Sequence, residues 1–320
     1  MPNPLDDAKV YTLADLKVWE TLRPGLPPSL AVLGHPVAHS VSPQMLNAAL
    51  KELSKRHKKF ENWRYFKFDI EPERLSESLA LFYEKSFEGI NLTIPHKIPA
   101  VALVKKISNA AKQVGAVNTL IRTKDGGWDG ENTDSYGLDM AVKESLGLKV
   151  IPMHVVVLGA GGAARSAALQ CLREWGQDVW IGARDPVKLN IFMDELKSQE
   201  HVHGKRVHGF NLNSPPIEQW NDGVLVINAT SVGMKISDPT PFDVSNLPRD
   251  SYVVDMIYRR DGSTSLVKVA KERHLLATDG LSMLIWQGFK SLGEWTGISP
   301  SAEIMMAAAC AALGLPPRHA

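Results

Sequence analysis

A glycine-rich turn near the middle of the chain has the residue pattern of an anion-binding site. The apolar run Val155-Val156-Val157-Leu158 is typical of a buried strand, and it leads into Gly159-Ala160-Gly161-Gly162-Ala163 and a helix start. Glycines let the backbone approach phosphates, and the free N–H groups of a helix N-terminus favour an anion. The pattern predicts a dinucleotide pyrophosphate at this turn; the alternative is a tight strand-to-helix corner without a ligand.

Charged residues follow the next predicted strand, at the position where the adenosine ribose of a dinucleotide is normally read. Arg184, with Lys188 one turn later, suits the 2′-phosphate of NADP. Asp185 would instead accept a hydrogen bond from a ribose 2′-hydroxyl and repel a phosphate. The residue chemistry favours NADP, and NAD stays open because of Asp185.

Lys97 lies in a turn just after another predicted strand, in the stretch Thr93-Ile94-Pro95-His96-Lys97. Pro95 cannot continue a central strand, so Lys97 should emerge at the carboxyl end of a parallel strand, where ligands of α/β proteins usually bind. A solvated surface lysine is the alternative interpretation. We interpret His96 as a structural residue or part of the rim.

Two other loops contain polar side chains next to predicted helix starts. Ser40 and Ser42 precede Pro43, which suits the first turn of a helix. Ser42 is a natural N-cap, and the alternative is that both hydroxyls bind a carboxylate beside the free helix N–H groups. Asp134 precedes a predicted helix over 135–146 and is interpretable as its N-cap.

The histidines and cysteines do not have the spacing of a metal site or a disulfide framework. His35 and His39 are four residues apart, but Pro36 between them argues against a helical metal pair. Cys171 and Cys310 lie in predicted apolar helices. We therefore expect no metal and a reducing compartment, with the cytoplasm as the default location.

The elements that must position these residues alternate between apolar strands and amphipathic helices from residue 30 onward. This alternation predicts an α/β fold with parallel βαβ units, and 320 residues suggest two domains. Residues 1–29 contain an amphipathic segment followed by a Pro/Gly-rich linker, which we interpret as a surface extension.

The composition limits the classes of partner. The chain has 36 Lys and Arg residues against 35 Asp and Glu residues, so the totals give no basic surface for nucleic acid or anionic membranes. The first residues lack the sustained apolar core of a signal peptide or a membrane-spanning helix. We expect a small-molecule substrate, no nucleic acid and no membrane.

Eight motifs, in order and in register, make the chain resemble the shikimate dehydrogenase family. The likeness covers residues 31–310, and its motifs are Gly34-His35-Pro36 through Ser40-Val41-Ser42-Pro43, Asn91 to Lys97, Gly115-Ala116-Val117-Asn118-Thr119, Asn132-Thr133-Asp134, Gly159 to Arg165, Asn228 to Gly233, Asp255-Met256-Ile257-Tyr258 and Gly280 to Gln287.

The resemblance implies two α/β domains with an active-site cleft between them. Residues 30–134, completed by helices in 280–320, would form the substrate domain, and residues 135–279 would form a Rossmann-like, doubly wound NADP-binding domain. The implied activity is reversible NADPH-dependent reduction of 3-dehydroshikimate to shikimate, in aromatic amino acid biosynthesis by way of chorismate. Monomer and homodimer both stay open.

The resemblance also implies the role of each site residue. Lys97 and Asp134 would be the catalytic pair, in which Lys97 donates or accepts the proton at the reacting oxygen and Asp134 orients it. Ser40 and Ser42 would bind the substrate carboxylate, and the remaining substrate contacts would be Thr93, Asn118, Tyr258 and Gln287. The cofactor would be held by Gly159, Ala160, Gly161, Gly162, Ala163, Arg184, Lys188, Met256 and Gly280.

Two alternatives accompany this interpretation. Asp185 stands where the family usually has a threonine, which suggests an NAD-using quinate/shikimate or aminoshikimate dehydrogenase. Ser42 favours shikimate over quinate, because quinate-preferring relatives often carry threonine there. A nucleotide-binding sensor without turnover is the other alternative, and the presence of both Lys97 and Asp134 argues against it.

Overall fold

The computed structural model describes residue 6, residues 8–148, 154–175 and 178–199, residues 202 and 204, and residues 206–319. The chain divides into two compact units. The first unit comprises Met1–Thr133 and Gln287–Ala320, and the second comprises Asp134–Trp286. The first boundary lies one residue before the expected boundary at 134/135, and the second lies seven residues after the expected boundary at 279/280.

The first unit contains a mixed seven-stranded sheet with the order β1-β3-β2-β4-β6-β7-β5. Strands β1, β3, β2 and β4 are parallel, whereas β6 is antiparallel to both β4 and β7. The strands are β1 (Val10–Thr12), β2 (Ser29–Gly34), β3 (Arg64–Asp69), β4 (Phe87–Leu92), β5 (Lys106–Ile107), β6 (Thr119–Arg122) and β7 (Trp128–Glu131).

A hairpin and a set of helices complete the first unit. A hairpin turn at 125–127 joins β6 and β7, with Gly126 and Gly127 at positive φ. The helices are α1 (Leu13–Lys17), α2 (Trp19–Leu22), α3 (Ser42–Arg56), α4 (Leu75–Glu84), α5 (Asn109–Val114), the second half of α10 (Leu281–Thr296) and α11 (Ala302–Leu313).

The segment 10–22 is part of the first unit's core, so the expectation of a surface extension is wrong for these residues. β1 pairs with the edge of β3, and Trp19 is fully buried. The Trp19 ring packs 5.0 Å from Phe66 and 5.3 Å from Phe68, centroid to centroid. The amphipathic segment that suggested a surface extension instead buries its apolar face against the sheet. Residues 1–5 and 7 of the expected extension lie outside the described residues.

The second unit contains a six-stranded parallel sheet with the order β10-β9-β8-β11-β12-β13. This order runs outward in both directions from its first strand, as in a doubly wound dinucleotide-binding fold. The strands are β8 (His154–Leu158), β9 (Asp178–Ala183), β10 (Arg206–Asn211), β11 (Val224–Asn228), β12 (Tyr252–Asp255) and β13 (Leu276–Thr278), and the helices are α6 (Asp134–Leu146), α7 (Gly162–Gln170), α8 (Pro186–Lys197) and α9 (Ser265–Glu272).

The predicted α/β fold class is confirmed in both units. Among the described residues, no helix combines the length and the apolar character needed to span a membrane. Cys171 and Cys310 are buried free thiols.

Candidate active site

The loop between β2 and α3 presents two serines at a helix start. Ser40 and Ser42 are both buried, and the backbone N–H of Ser42 donates to Ser40 Oγ at 3.3 Å. The prediction that Ser42 is the N-cap is wrong, because α3 begins at Ser42 itself and Val41 holds the cap position without a side-chain bond. The Ser40 hydroxyl serves the Ser42 N–H instead, so both hydroxyls lie at the N-terminus of a 15-residue helix.

The loop after β4 carries Thr93 and Lys97. The Thr93 N–H donates to Leu33 O at 2.9 Å, and Lys97 O accepts from Val117 N at 2.8 Å, so the backbone fixes both ends of this loop. His96 between them is fully buried, with Nε2 lying 2.9 Å from Ile70 O. Burial lowers the pKa of His96. Its position and contacts fit the structural interpretation.

A buried hydrogen-bond network joins Asn118, Thr133 and Gln287. Asn118 Oδ1 accepts from Thr133 N at 2.8 Å, and Asn118 Nδ2 donates to Thr133 Oγ1 at 3.0 Å. Ser291 Oγ lies 3.2 Å from Thr133 Oγ1 and donates to Gln287 O at 2.9 Å. Ser291 was not singled out from the sequence, because it has no motif around it and lies 158 residues from Thr133 along the chain.

The first unit therefore gathers six predicted residues at one end of its sheet. β2 and β4 are neighbouring parallel strands, and β6 is antiparallel to β4. The segments after β2 and β4 and the segment before β6 therefore lie at the same end of the sheet. These residues are Ser40, Ser42, Thr93, Lys97, Asn118 and Gln287.

Asp134 and Tyr258 belong to the second unit. Asp134 is the first residue of α6 and is buried, while Tyr258 follows β12 and is half-buried. The pairing of Lys97 with Asp134 stays a prediction.

The glycine turn after β8 has the geometry that a pyrophosphate needs. Gly159 has φ +116°, and a Cβ there would lie 3.2 Å from Ala229 O, which favours glycine. Gly161 occupies the N-cap of α7, and a Cβ added to it would meet nothing within 4 Å. The first helical hydrogen bond runs from Arg165 N to Gly161 O, so the N–H groups of the first turn precede the helical ladder. Ala160, Gly162 and Ala163 complete this turn, which fits a bound phosphate.

The charged group after β9 contains a carboxylate, Asp185, with a structural role of its own. Asp185 Oδ1 accepts from Val187 N at 2.9 Å and from Lys188 N at 3.2 Å, which makes it the N-cap of α8. Arg184 is exposed, and Lys188 Nζ lies 4.0 Å from Asp185 Oδ2. The carboxylate thus has a structural function that needs no ribose hydroxyl, and two cations stand beside it.

The segments after β12 and β13 lie in direct contact. Met256 N donates to Asn228 O at 3.0 Å, and Gly280 N donates to Ile257 O at 2.9 Å. A Cβ on Gly280 would collide with Met256 O, so only glycine permits this approach. Met256 and Gly280 are thus held together near the carboxyl ends of these parallel strands, where dinucleotides bind in this fold.

Asp255, at the end of β12, fixes the same region, and the sequence motif that contains it had suggested no role for its side chain. Its Oδ1 accepts from Asn228 Nδ2 at 2.9 Å and from Ile257 N at 3.1 Å, and its Oδ2 accepts from Thr264 Oγ1 at 2.7 Å. Burial raises the pKa of Asp255 to about 6. The carboxylate therefore ties three chain segments together.

No group of three or more His, Cys, Asp or Glu side chains suited to a metal ion occurs within the described part of the chain. His35 of the candidate histidine pair contacts a carboxylate instead, with Nδ1 2.5 Å from Asp69 Oδ1. This contact raises the pKa of His35.

Comparisons with known proteins find matches to two domain profiles and relatives that align over most of the chain. Residues 32–120 match the profile of the shikimate dehydrogenase substrate binding domain, and residues 280–310 match that of the shikimate 5′-dehydrogenase C-terminal domain. The chain is 36% identical to the shikimate dehydrogenase (NADP(+)) of Rubrobacter xylanophilus, over 86% of this chain and 93% of that protein.

Solved structures show the same likeness. Shikimate dehydrogenase from Aquifex aeolicus superimposes with a TM-score of 0.77 at 30% identity, covering 89% of this chain and 98% of that one. Shikimate 5-dehydrogenase from Thermus thermophilus, in complex with NADP(H) and shikimate, has a TM-score of 0.74 at 34% identity, with 89% and 99% coverage.

Proposed function

Because the chain belongs to the shikimate dehydrogenase family, we propose that it catalyses the reversible NADPH-dependent reduction of 3-dehydroshikimate to shikimate. The reaction supplies shikimate for chorismate and aromatic amino acid biosynthesis. The observation that carries the proposal is that six polar residues lie at one end of the first unit's sheet: Ser40, Ser42, Thr93, Lys97, Asn118 and Gln287.

The polar groups at this end of the sheet are suited to bind a hydroxylated ring acid. Ser40 and Ser42 offer hydroxyls at the N-terminus of α3, where a carboxylate is favoured. Thr133 holds the Asn118 amide, so this side chain is oriented before the substrate binds, and Ser291 fixes the backbone of Gln287. Thr93 and Tyr258 complete the proposed substrate contacts.

Lys97 is the proposed proton donor and acceptor. Reduction of a ring ketone places a hydride on carbon and a proton on oxygen, and a positioned ammonium stabilises the developing alkoxide and then protonates it. In the reverse direction the same side chain takes the proton. Asp134 orients Lys97 and the reacting hydroxyl.

The second unit is the proposed NADP site. The residues from Gly159 to Ala163 hold the pyrophosphate, Arg184 and Lys188 hold the 2′-phosphate, and Met256 and Gly280 lie toward the nicotinamide end. When bound, the cofactor supplies or accepts the hydride. Asp185 is already the N-cap of α8, which supports NADP over NAD as the working cofactor.

The test is oxidation of shikimate followed at the nicotinamide absorbance, with NADP⁺ and NAD⁺ in parallel and quinate as a second substrate. We expect strong turnover of shikimate with NADP⁺ alone. Turnover mainly with NAD⁺, or comparable turnover of quinate, would indicate a quinate/shikimate dehydrogenase. NADPH binding without turnover of any cyclohexene acid would indicate a sensor.

We also propose that the enzyme works in the cytoplasm as a monomer or homodimer. The buried free thiols of Cys171 and Cys310 are typical of a reducing compartment. Sedimentation of the purified protein would distinguish the two oligomeric states.

A further inference from the structure

Arg259 follows the proposed substrate contact Tyr258 and ties two loops of the second unit together. Its guanidinium donates twice to the Asp261 carboxylate, from Nε to Oδ1 at 2.7 Å and from Nη2 to Oδ2 at 2.5 Å. The remaining nitrogen, Nη1, donates to Gly233 O at 3.3 Å and to Lys235 O at 3.1 Å. The Arg259 side chain is 9% exposed. The loop after β12 thus holds the loop after β11 through one planar, charged group.

The Gly233–Lys235 turn is also bonded from its N–H side. Asp238 Oδ2 accepts from Gly233 N at 3.0 Å and from Lys235 N at 2.9 Å. The N–H groups of Lys235 and Gly233 lower the pKa of Asp238. Charged side chains therefore bond both the N–H and the C=O groups of Gly233 and Lys235, in a segment outside the helices and strands. The conformation of this turn depends on those side chains.

The turn lies at the end of the sheet where the reacting part of a dinucleotide is proposed to bind. β11 and β12 are neighbouring parallel strands, so the loops after them share the carboxyl end of the sheet. Gly233 has φ +111°, and a Cβ there would lie 3.5 Å from Ile257 Cδ1. Ile257 stands between Met256 and Tyr258 in the chain. The turn is therefore next to the segment that carries a proposed cofactor contact and a proposed substrate contact.

We propose that Arg259 is a positioning residue for the hydride-transfer step, which it supports by holding the Gly233–Lys235 turn against the segment from Met256 to Tyr258. The inference rests on the proposed function, in which this segment contacts the nicotinamide end of the cofactor and the substrate. Asp261 keeps the guanidinium plane in one orientation, and the two carbonyls accept from its remaining nitrogen. The pair therefore restrains two loops that no strand pairing restrains.

A positioning role predicts an effect confined to one end of the cofactor. The phosphate groups are proposed to bind at the Gly159–Ala163 turn and at Arg184 and Lys188, which follow β8 and β9. A small misplacement of the reacting atoms slows the chemical step. Loss of Arg259 should therefore slow hydride transfer and leave the binding of a phosphate-end fragment intact. A role confined to stability would lower the fraction of folded enzyme and leave the rate constant of that enzyme unchanged.

The experiment compares wild type with Arg259→Gln, Arg259→Lys and Asp261→Asn. Arg260→Gln, which removes the exposed neighbouring arginine, is the matched control. Stopped-flow single turnovers at the nicotinamide absorbance give the rate constant of hydride transfer and, as the amplitude, the fraction of active enzyme. Calorimetry gives the affinity for adenosine 2′,5′-bisphosphate, which lacks the nicotinamide end. Hydrogen–deuterium exchange reports on residues 229–238, and thermal unfolding on each variant's stability.

We expect Arg259→Gln to lower the single-turnover rate constant by about tenfold, with the affinity for adenosine 2′,5′-bisphosphate unchanged. Arg259→Lys keeps a charged donor for the two carbonyls and should recover part of the rate constant. Asp261→Asn should have a smaller effect in the same direction, and Arg260→Gln should behave as wild type. A change in amplitude alone, or an equal loss of affinity for the fragment, would overturn the proposal.

Two measurements keep the proposal separate from the proposed function. Residues 229–238 should exchange faster in Arg259→Gln than in Arg260→Gln, and equal exchange would overturn the proposal. If the wild type does not oxidise shikimate with NADP⁺, the proposed function fails, and cofactor binding then judges Arg259 alone. In that case the affinity for NADPH relative to adenosine 2′,5′-bisphosphate should fall by about threefold in Arg259→Gln. An unchanged ratio would refute the role of Arg259.

Discussion

The proposed binding surfaces of the two units are built from different groups, backbone in one unit and side chains in the other. In the second unit the surface is largely backbone: the Gly159–Ala163 turn, the α7 N-terminus and the contact of Gly280 with Met256. In the first unit it is made of side chains, and buried polar groups hold two of these residues: Thr133 holds the Asn118 amide, and Ser291 holds the Gln287 backbone. Binding to the second unit should therefore be sensitive to side-chain atoms added at glycines. Activity at the first unit's site should be sensitive to the removal of side-chain groups.

The cores differ in the same sense. The sheet of the second unit is buried on both faces, and its strands are rich in β-branched residues such as Val155-Val156-Val157, as is usual for parallel sheets. The first unit packs aromatic rings against one another in its core, where Phe68 contacts Trp19, Phe82 and Phe87 in tilted or edge-to-face geometry. The aromatic core of the first unit therefore depends on residues 10–22, which contribute the fully buried Trp19.

The largest expected effect is the loss of the proton donor in the first unit. Lys97→Met should lower kcat by about 10²- to 10⁴-fold, the usual contribution of a general acid or base. NADP⁺ affinity, measured by calorimetry, should stay unchanged, because Lys97 and the glycine turn belong to different units. Lys106→Met, an exposed lysine on β5, is the control. A loss of only a few fold would remove Lys97 from the catalytic pair.

Trp19→Ala tests the aromatic core. We expect a loss of about 3–5 kcal/mol in the free energy of unfolding of the first unit, because a fully buried ring leaves a cavity. Urea unfolding monitored by circular dichroism measures it, and the neighbouring exposed Val18→Ala should change little. A small change in the free energy of unfolding for Trp19→Ala would mean that residues 10–22 are not part of the first unit's core.

The sequence predicted local features better than long-range ones. The β8–turn–α7 unit is contiguous, so its glycines identify it without any other part of the chain. The Asp185 carboxylate admitted two interpretations, because its contacts with the α8 N–H groups depend on where the helix begins. Ser291 was missed, because its partners Asn91, Thr119 and Thr133 lie 158 to 200 residues away and no spacing pattern connects them.

Asp255 offers a pH test in the second unit. Its pKa of about 6 lies above the ordinary value of 3.8, so between these pH values the folded form keeps a proton that the unfolded form has lost. Stability from this group is therefore present below about pH 4 and is lost as pH rises through 6. Wild type should lose about 3 kcal/mol relative to Asp255→Asn across that range.

Urea unfolding of both proteins at several pH values measures this difference. Asp243→Asn is the control of opposite sign, because the hydrogen bond with Ser245 lowers the pKa of Asp243 and its contribution is lost on acidification instead. A pH-independent difference between wild type and Asp255→Asn would mean that the carboxylate is ionised throughout the range.

The smallest expected effect tests whether the second surface is indeed sensitive to one added methyl group. A Cβ on Gly161 would meet no protein atom within 4 Å, so Gly161→Ala should leave stability nearly unchanged. It would fill the space proposed for the pyrophosphate and raise the KM for NADP⁺ by about tenfold, with the KM for shikimate unaffected. Gly293→Ala, also in open space but within α10, should only stabilise its helix by about 0.5–1 kcal/mol. An unchanged KM for NADP⁺ in Gly161→Ala would mean that the phosphates are held by side chains after all, and the contrast between the two units would disappear.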